Sequence, residues 1–335
     1  MHKKTPKVSV IVINVKGTEQ LEKCLRCLIK TTYLNYEIIV VDCLTTNLKV
    51  WMRKFFPKVK VIHYDYDIGP SASHNVKNKI TASSKYLAFL DNDACVTENW
   101  LTELVKVMEK DEKIGMAQAK ILMTGNHRRL DHTGIAIDAL GTWYTTRGLN
   151  ADKFKKVFEI FAASSAGCIV SRRAFEEAGG FDPDYFIYDD DTDLSFRIRL
   201  LGYKIVFVPS AIIFHDARPM RVFTSKKLFH SFKNRMCTML KNYELKNLWW
   251  RFSLYFFSTI VAGTSFLLIK KMDEAKALFR SIIYSLVNIK RIWVKRSYIQ
   301  FKRKVRDSEL FHEGYLRNDI NATLRDVRLK LKFLR

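Results

Sequence analysis

The stretch Tyr86-Leu-Ala-Phe-Leu-Asp-Asn-Asp93 combines a short apolar run with two carboxylates at its end. An apolar run of this length between polar residues is typical of a buried strand in a covered sheet. Asp91 and Asp93 are two residues apart, so in an extended chain their side chains point the same way. Two such carboxylates suit Mg²⁺ or Mn²⁺, which takes few protein ligands and completes its shell with phosphate oxygens. The alternative is an ordinary loop tripeptide that caps the next helix.

The residues before this stretch alternate between β-branched runs and amphipathic runs. The predicted strands are Val8–Ile13, Tyr36–Asp42, Val59–His63 and 86–90, and the predicted helices are 18–31, 48–56 and 75–82. Strands that alternate with helices predict a doubly wound, mostly parallel, Rossmann-like α/β sheet. A ligand of such a sheet binds beyond the carboxyl ends of the strands. Asp42, the loop 67–69 and the D-x-D pair all lie at those ends, so we expect them to share one crevice.

Neither common glycine-rich phosphate motif follows the first strand. The sequence there contains no G-x-G-x-x-G and no G-x-x-x-x-G-K-S/T, which disfavours a Rossmann dehydrogenase and a P-loop enzyme. A nucleotide that meets a carboxylate at the end of the second strand, with its phosphates on a metal at the D-x-D pair, remains compatible with the sequence.

Beyond residue 100 the pattern predicts a helix at 100–110, a strand at 116–123, surface loops over 125–150 and a strand at 164–170. Five aspartates follow between 184 and 193 and lead into the helical pattern of 194–201. Helix N-termini favour anions, so capping alone explains part of this cluster, and for Asp193 capping explains the residue at least as well as chemistry does. His215 closes a further strand, 212–215. A lone histidine is more often structural than a ligand, but this one ends a strand near which acids are expected.

Taken in order, these motifs resemble those of the family 2 glycosyltransferases, which are inverting enzymes with a GT-A fold. The resemblance covers about residues 7–240 and extends to the rhamnosyltransferase-like branch of the family. The matching segments are Val8–Ile13 (opening strand), Glu37–Asp42 (nucleotide strand), Gly69 with Asn75 (loop and helix), Leu90–Asp93 (metal motif), Gly179–Asp182, Asp190–Arg197 and Gly202–Lys204 (acceptor side), and Lys233–Arg235 with Lys241–Tyr243 (the branch).

The resemblance implies a role for each matching position. The nucleotide-sugar would bind at Ile13, Asp42, Gly69, Asn75 and Asp91, and Asp91 would contact either the ribose or the metal. A divalent metal, Mn²⁺ or Mg²⁺, would bind Asp93, and His215 would complete its shell. Asp191 would be the general base, and the acceptor side would contain Gly180, Asp182 and Asp190.

The implied reaction agrees with these residue types. A sugar that departs from a nucleoside diphosphate leaves negative charge on phosphate, which a divalent metal stabilises. Attack from the opposite face needs an in-line hydroxyl that one carboxylate deprotonates. Inverting glycosidases also use a carboxylic acid, which protonates the leaving group. Here the metal would replace that acid. We expect transfer of a hexosyl group from a UDP-, GDP- or dTDP-sugar to a hydroxyl of a glycan or lipid-linked acceptor, in polysaccharide biosynthesis.

Three positions depart from the family's pattern. Cys43 and Leu44 follow Asp42 where the family frequently has Asp or Asn and then Gly, and His74 precedes Asn75 where Arg is common. These departures leave the base of the nucleotide, and therefore the donor, open.

The last third of the chain carries most of the positive charge. Residues 1–215 hold 30 Lys and Arg against 25 Asp and Glu, whereas residues 216–335 hold 27 against 9. The 18 uncharged residues 252–269 just reach the length of a membrane span, and a second apolar stretch follows at 279–294. Six Ser, Thr or Gly residues and two basic flanks argue against a span. We therefore expect a GT-A domain at 1–218 and a basic helical region at 219–335 that lies in an anionic leaflet, with a buried helical subdomain as the alternative.

Composition also bears on location and on rival functions. We see no signal peptide, and the six cysteines lack a disulfide-like spacing, so we expect reduced thiols and a cytoplasmic protein, peripheral or re-entrant at the cytoplasmic face of the membrane. A net charge of +23 with clusters such as Lys302–Arg306 would also fit nucleic-acid binding. That class leaves the strand-end carboxylates unexplained, so we expect no nucleic-acid partner. A nucleotidyltransferase keeps the fold but releases pyrophosphate.

Overall fold

The computed structural model describes residues 5–75, 84–132, 137, 146–216 and 224–312. The chain divides into two compact units. The first contains the residues up to 220 apart from 135–144 and 200–202, and the second contains those two segments and the residues from 221 on. The domain boundary predicted at 218/219, and all of the predicted helix 75–82 except Asn75, lie outside the described residues.

A mixed β-sheet forms the core of the first unit. Its described strands are β1 (Val8–Val15), β2 (Tyr36–Cys43), β3 (Lys60–Tyr64), β4 (Tyr86–Asp91), β5 (Ala94–Val96), β6 (Ile114–Met123), β7 (Asn126–His132), β8 (Phe158–Glu159), β9 (Gly167–Ser171) and β10 (Lys204–His215). The helices are α1 (Glu19–Leu28), α2 (Leu48–Phe55), α3 (Pro70–Ser73), α4 (Trp100–Met108), α5 (Arg172–Ala178) and α6 (Asp190–Leu200). The strand order is β3-β2-β1-β4-β9-β6-β10-β5, with β7 beside β6 and β8 beside β10.

The predicted mostly parallel α/β sheet is confirmed. β1 pairs in parallel with β2 and β4, β2 with β3, and β6 with β10. β9 runs antiparallel between β4 and β6. Val8, Val10 and Val12 belong to a core shared with α1 and α4, and Ile11 and Ile13 on the opposite face are also buried. Burial on both faces explains why these strands have no alternating polar residues.

Two strands differ from the predictions. The segment 125–150, expected to be surface loops, begins with β7, which pairs antiparallel with β6. β7 carries mostly polar side chains around the buried Leu130, so it has little hydrophobic periodicity to reveal it. The strand predicted at 212–215 is the end of a longer strand, β10, whose register shifts between Val208 and Ile212. Pro209 lies in that irregularity, where a missing N–H is tolerated.

The expectation that all cysteines are reduced is wrong for one pair. Cys27 of α1 and Cys95 of β5 form a disulfide, although they are 68 residues apart in the sequence. The sheet topology brings them together, so their spacing along the chain gave no sign of the bond. The other four cysteines, Cys24, Cys43, Cys168 and Cys237, keep their thiols and are buried.

The second unit is helical in its described part. It contains α7 (Ser225–Asn242), α8 (Leu245–Leu268), α9 (Met272–Val287), α10 (Ile289–Lys302) and α11 (Asp307–His312). The stretch expected to form one helix at 279–294 is divided at Asn288 between α9 and α10. Among the described helices, α8 is long and apolar enough to cross a membrane, and 28% of its apolar window is buried within the protein. Length and composition alone do not separate a spanning helix from a core helix.

Part of the positive charge of the second unit is structural. Arg251 is fully buried, and its guanidinium lies over the rings of Trp250, Tyr243 and Phe311 at 4.3–5.2 Å. Arg296 donates hydrogen bonds to the carbonyl oxygens of Leu240 (2.8 Å) and Tyr243 (2.7 Å). These cations hold helices together, so the excess of 18 positive charges beyond residue 215 overstates the charge on the surface.

In the first unit, a buried ion pair fixes the start of α6. Asp193 is fully buried, and its Oδ2 lies 2.9 Å from Nε and 2.8 Å from Nη2 of Arg197. Nη1 of the same guanidinium donates to the carbonyl oxygens of Ala178 and Gly180. Asp193 therefore has a structural partner, and Arg197 ties α6 to the turn that follows α5.

We expect Arg197→Met to lower the free energy of unfolding by about 3–5 kcal/mol, because it leaves the buried Asp193 carboxylate without its guanidinium. Arg173→Met is the matched control, since Arg173 pairs with Glu177 at the same spacing while its side chain is 77% exposed. An exposed pair of this kind contributes at most about 1 kcal/mol. Urea denaturation measures both variants, and equal losses would contradict the prediction.

Candidate functional site

Asp91, Asp93 and His215 bring one ligand atom each within 4.8 Å of one another. Asp91 ends β4, Asp93 follows two residues later, and β10 pairs with β5 so that His215 lies opposite Ala94. Nε2 of His215 is 3.0 Å from Oδ1 of Asp93 and 3.9 Å from Oδ2 of Asp91. Two carboxylates and an imidazole are a donor set that Mn²⁺ accepts, with positions left for other oxygens. These residues therefore fit a divalent metal.

Asp131 fixes the orientation of the histidine in this cluster. Nδ1 of His215 lies 2.9 Å from Oδ2 of Asp131, whose Oδ1 lies 3.2 Å from Nη1 of Arg147. A carboxylate that accepts from Nδ1 directs Nε2 towards the metal position, as in carboxylate–histidine–metal arrangements. The sequence did not identify Asp131, because the only signal was the pairing of β7 with β6, and β7 was predicted to be a loop.

The electrostatics of the cluster follow from its burial and crowding. Burial alone would lower the pKa of His215, but its hydrogen bonds to Asp131 and Asp93 and the charge of Asp91 raise that pKa to about 10. Burial, with a smaller contribution from Asp93, raises the pKa of Asp91 to about 6, against the lowering effect of His215. At neutral pH the metal-free cluster therefore holds an imidazolium, and a metal that binds His215 has to displace its proton.

A row of hydrogen bonds crosses the carboxyl ends of β1, β2 and β3. Nδ2 of Asn92 donates to Oδ1 of Asn14 (2.6 Å), and Nδ2 of Asn14 donates to Oδ1 of Asp42 (2.6 Å). The Asp42 carboxylate also accepts from the hydroxyl and the N–H of Thr45 (2.6 and 3.3 Å), and Nδ1 of His63 lies 2.6 Å from its Oδ2. Asp42 is fully buried. The structure thus places Asp42, which was predicted to bind the nucleotide, at the end of β2. Its carboxylate oxygens bond to other residues of the protein.

Gly69, Asn75 and Gly180 lie in close contacts between the segment after β3 and the segment before α6. Gly69 has a φ of +77°, and a Cβ there would lie 2.5 Å from the Phe186 ring, so the position requires glycine. The Asn75 amide accepts from the N–H of Phe181 (2.9 Å) and donates to its carbonyl oxygen (2.7 Å). Gly180 has a φ of +74°, and a Cβ there would lie 2.7 Å from Oδ1 of Asn75. These residues join the loop after β3 to the acidic segment before α6.

Two further predicted positions are Asp182 and Ile13. Asp182 caps a short 3₁₀ turn, where its side chain accepts from the N–H of Asp184 (3.1 Å). Ile13 is buried in β1 beside Asp91 of β4. Their assignments to acceptor and nucleotide stay predictions.

Asp190 and Asp191 begin α6 after a turn with unusual backbone angles. Phe186, Tyr188 and Asp189 have φ values of +64°, +69° and +55°, a region that side-chain-bearing residues rarely adopt and that is often found at functional sites. Burial is the main cause that raises the pKa of both Asp190 and Asp191. The charges of Asp189 and Asp91 raise the pKa of Asp191 further, while N–H groups of Thr192 and Ser165 lower it. The N–H of Ser165 that bonds to Asp191 comes two residues before Gly167, which pairs with Leu90 beside Asp91, so Asp191 lies at the same end of β4 as the metal cluster.

His74, which replaces the family's arginine, carries no positive charge at neutral pH. The side chain is buried, and burial lowers its pKa to about 3. Its ring stacks on Phe181 with centroids 4.4 Å apart, and Nδ1 lies 4.0 Å from Oδ2 of Asp190. The substitution thus exchanges a cation for an aromatic contact on the side of the site that contains Asp190.

Residues 6–239 match the protein family described as "Glycosyltransferase like family 2". The chain belongs to this family. The O-antigen biosynthesis protein RfbC of Myxococcus xanthus is 26% identical to this chain over 233 residues, which is 65% of the chain and 18% of that protein. An N-acetylglucosaminyl-diphospho-decaprenol L-rhamnosyltransferase of Mycobacterium tuberculosis is 46% identical over 52 residues, which is 15% of the chain and 17% of that protein. The chain therefore spans less than a fifth of the length of either relative.

A solved structure shows the fold of this family 2 chain. GalNAc-T7, crystallised with UDP, GalNAc and Mn²⁺, superposes with a TM-score of 0.61 at 19% sequence identity, over 85% of this chain and 58% of that one. The predicted GT-A fold is confirmed.

We expect Asp131→Asn to weaken Mn²⁺ binding about 10- to 100-fold, because the neutral amide holds and polarises His215 less well than a carboxylate does. Isothermal titration with MnCl₂ measures the affinity. Asp152→Asn, at an exposed carboxylate of the same unit, is the control and is expected to bind Mn²⁺ like the wild type. An Asp131→Asn affinity within twofold of the wild type would show that Asp131 does not orient the ligand.

Proposed function

We propose that this protein is an inverting glycosyltransferase that moves a hexosyl group from a nucleotide-diphosphate sugar to a hydroxyl of a glycan or lipid-linked acceptor. One observation carries the proposal: a donor set that fits a divalent metal and the Asp191 carboxylate lie at the same end of β4. The N–H of Ser165, which bonds to Asp191, comes two residues before Gly167, the partner of Leu90 beside Asp91. The UDP, GalNAc and Mn²⁺ bound to GalNAc-T7, and the lipid-diphosphate named for the mycobacterial relative, support the same substrate classes.

In this mechanism Asp93 and His215, with Asp91, would hold the metal. A bound metal would supply positive charge that stabilises the diphosphate leaving group. Asp131 keeps Nε2 of His215 pointed at the metal position. The residues of the cluster therefore act on the donor side of the reaction.

Asp191 acts on the other side, as the general base. The backbone N–H of Thr192 donates to its Oδ1 at 2.8 Å, and the N–H of Ser165 also bonds to it, so the carboxylate is held in one orientation. It takes the proton of the acceptor hydroxyl as the oxygen bonds to the anomeric carbon and the bond from that carbon to the diphosphate breaks. A raised pKa makes the carboxylate a stronger base for this step.

We expect Asp191→Asn to lower the transfer rate about 10²- to 10⁴-fold while donor binding persists, because the amide cannot accept the proton. In the wild type, the transfer rate should fall as the pH drops below the raised pKa of Asp191, at a higher pH than an ordinary aspartate would give, because the protonated acid is inactive. The assay supplies Mn²⁺, an acceptor and a panel of UDP-, GDP- and dTDP-sugars, and it records nucleoside diphosphate release against pH.

The same assay contains its control and its alternatives. Asp111→Asn changes a surface carboxylate and should leave the rate unchanged. Near-wild-type transfer by Asp191→Asn would show that another group is the base. Release of pyrophosphate when a nucleoside triphosphate and a sugar 1-phosphate replace the nucleotide-sugar would indicate a nucleotidyltransferase. A protein that binds DNA or RNA with steep salt dependence but no nucleotide-sugar would belong to the nucleic-acid class.

We also propose that the second unit docks on the anionic cytoplasmic face of a membrane. An apolar stripe runs along the exposed side of α8, at residues spaced by three, four or seven positions: Trp250, Leu254, Phe257, Val261 and Leu268. Tyr255, Thr259 and Gly263 are buried on another side of the helix. The stripe and the exposed Ile269 and Lys270 at its end combine apolar surface with positive charge, which suits a helix in the plane of an anionic leaflet.

We expect the wild type to sediment with phosphatidylglycerol-containing vesicles and to do so less at high salt or with pure phosphatidylcholine. Val261→Glu should reduce this sedimentation, because it puts a charge into the apolar stripe. Val50→Glu is the matched control, since Val50 of the first unit is exposed to nearly the same extent, 68% against 65% for Val261. Equal sedimentation of the two variants would contradict docking through α8.

A further inference from the structure

Asp190 and Asp191, which begin α6, are buried to different degrees. Asp190 is only 5% exposed, whereas Asp191 is partly buried. Two neighbouring carboxylates in a site of low dielectric do not both ionise easily, because each negative charge disfavours the other. A charged carboxylate also costs more free energy the more completely it is removed from water. A single proton on this pair therefore belongs on Asp190.

Within the described part of the chain, no lysine or arginine pairs with the Asp190 carboxyl. Arg197, the arginine one helical turn past Asp193, is bound to that residue instead. The basic side chain that faces Asp190 is His74, directly after α3, whose Nδ1 lies 4.0 Å from Oδ2 of Asp190. This distance is too long for a hydrogen bond. A buried carboxyl without a cation normally takes up a proton rather than remain charged.

His74 is placed so that it does not supply the missing positive charge. Its side chain is buried, stacks on Phe181 with centroids 4.4 Å apart and meets the Phe89 ring at 5.0 Å in a T-shaped contact. Among the described residues, neither ring nitrogen has a hydrogen-bond partner, and neither has Oδ2 of Asp190. A buried ion pair needs good geometry and hydrogen bonds to offset its desolvation, and this contact has neither. A neutral imidazole therefore faces a neutral acid.

Two groups next to Asp190 favour its ionised form, but they are outweighed. They are the Ser71 hydroxyl and the N–H of Asp190 itself. Burial and the charge of Asp191 act more strongly in the other direction and raise the pKa of Asp190, and Asp189 adds to this effect. The titratable groups that face Asp190 in the described residues are thus His74 and two acids, and both acids oppose a second negative charge.

We propose that Asp190 holds a proton at neutral pH and is the positioning residue that keeps Asp191 the ionised carboxylate of the pair. The inference rests on the proposed function, in which Asp191 is the base. A protonated Asp190 places no negative charge beside the base, so Asp191 ionises at a lower pH than it would next to a second carboxylate. An arginine at position 74, common in the family, would favour an ionised acid at 190. His74 exchanges that charged pair for a neutral one.

Infrared spectroscopy tests for the proton without any substrate. The carbonyl stretch of a protonated carboxyl lies at a higher frequency than the bands of amides and carboxylates. We expect this band in the spectrum of the wild type at neutral pH minus that of Asp190→Asn, because the amide has nearly the shape of the acid but no carboxyl. In the wild type the band should disappear as the pH rises through the pKa of Asp190.

Asp111→Asn is the control for the infrared measurement. The Asp111 side chain is 38% exposed, and its Oδ1 accepts from the N–H of Lys113 at 2.9 Å, so this carboxylate is ionised at neutral pH. Its difference spectrum should lack the band of a protonated carboxyl. A difference spectrum of Asp190→Asn that also lacks the band would overturn the proposal.

The pH dependence of sugar transfer tests the effect on Asp191. The readout is the pH at which the transfer rate falls to half on the acid side, compared between the wild type and Asp190→Asn. We expect the same midpoint in both, because the amide replaces a group that is already neutral there. A midpoint lower by about one pH unit or more in the variant would show that Asp190 carries a negative charge, and would overturn the proposal. Complete loss of transfer would show that the Asp190 carboxyl takes part in the chemistry itself, and would overturn its positioning role.

Failure of this inference can be distinguished from failure of the proposed function. A wild type that transferred sugar from none of the nucleotide-sugars would overturn the proposed function and, with it, the role of Asp190 towards a base. The infrared difference spectrum would still decide whether Asp190 is protonated. Circular dichroism melts confirm that Asp190→Asn and Asp111→Asn are folded.

Discussion

The site depends on the contact of one imidazole with carboxylates from three parts of the sheet. Asp91, Asp93 and Asp131 reach His215 from β4, from the turn before β5 and from β7. Three carboxylates at this separation repel one another in a partly buried site unless a positive charge lies among them. A protonated His215 supplies that charge without a metal. The three carboxylates can therefore keep positions that suit a metal ion even when no metal is bound.

Much of the fold follows from local sequence, because its strands are buried on both faces. The runs of β1, β2 and β4 are mostly apolar in their interiors, with Ser9 and Glu37 near the starts of β1 and β2, and the acids Asp42 and Asp91 mark the carboxyl edge. Asp91, Asp93 and His215 could be found for the same reason, since each stands at or just beyond a strand end and matches a family motif.

The structural features that could not be predicted from the sequence depend on contacts between segments far apart in the chain. Asp131 contacts His215, which is 84 residues away in the sequence, and Asn75 bonds to Phe181, which is 106 residues away. The disulfide joins Cys27 to Cys95, 68 residues away. None of these pairs has a spacing that one helix or hairpin could impose. The burial of Asp42 was equally hidden, because its partners Asn14 and His63 become neighbours through strand register alone.

The hydrogen-bonded row across the strand ends has a consequence for the order of events at the site. Asn92, its first member, lies between the two aspartates of the metal cluster, and His63, its last, lies three strands away. The two side chains between them, Asn14 and Asp42, each hydrogen-bond to both of their neighbours in the row. A shift at one end therefore disturbs the bonds at the other. Under the proposed function, a metal at the two aspartates and a nucleotide at the strand ends would be coupled ligands. Such coupling is reciprocal: the factor by which the metal raises nucleotide affinity is the factor by which the nucleotide raises metal affinity. Donor and ion would then load as a pair, which would limit the time that either spends alone on the protein.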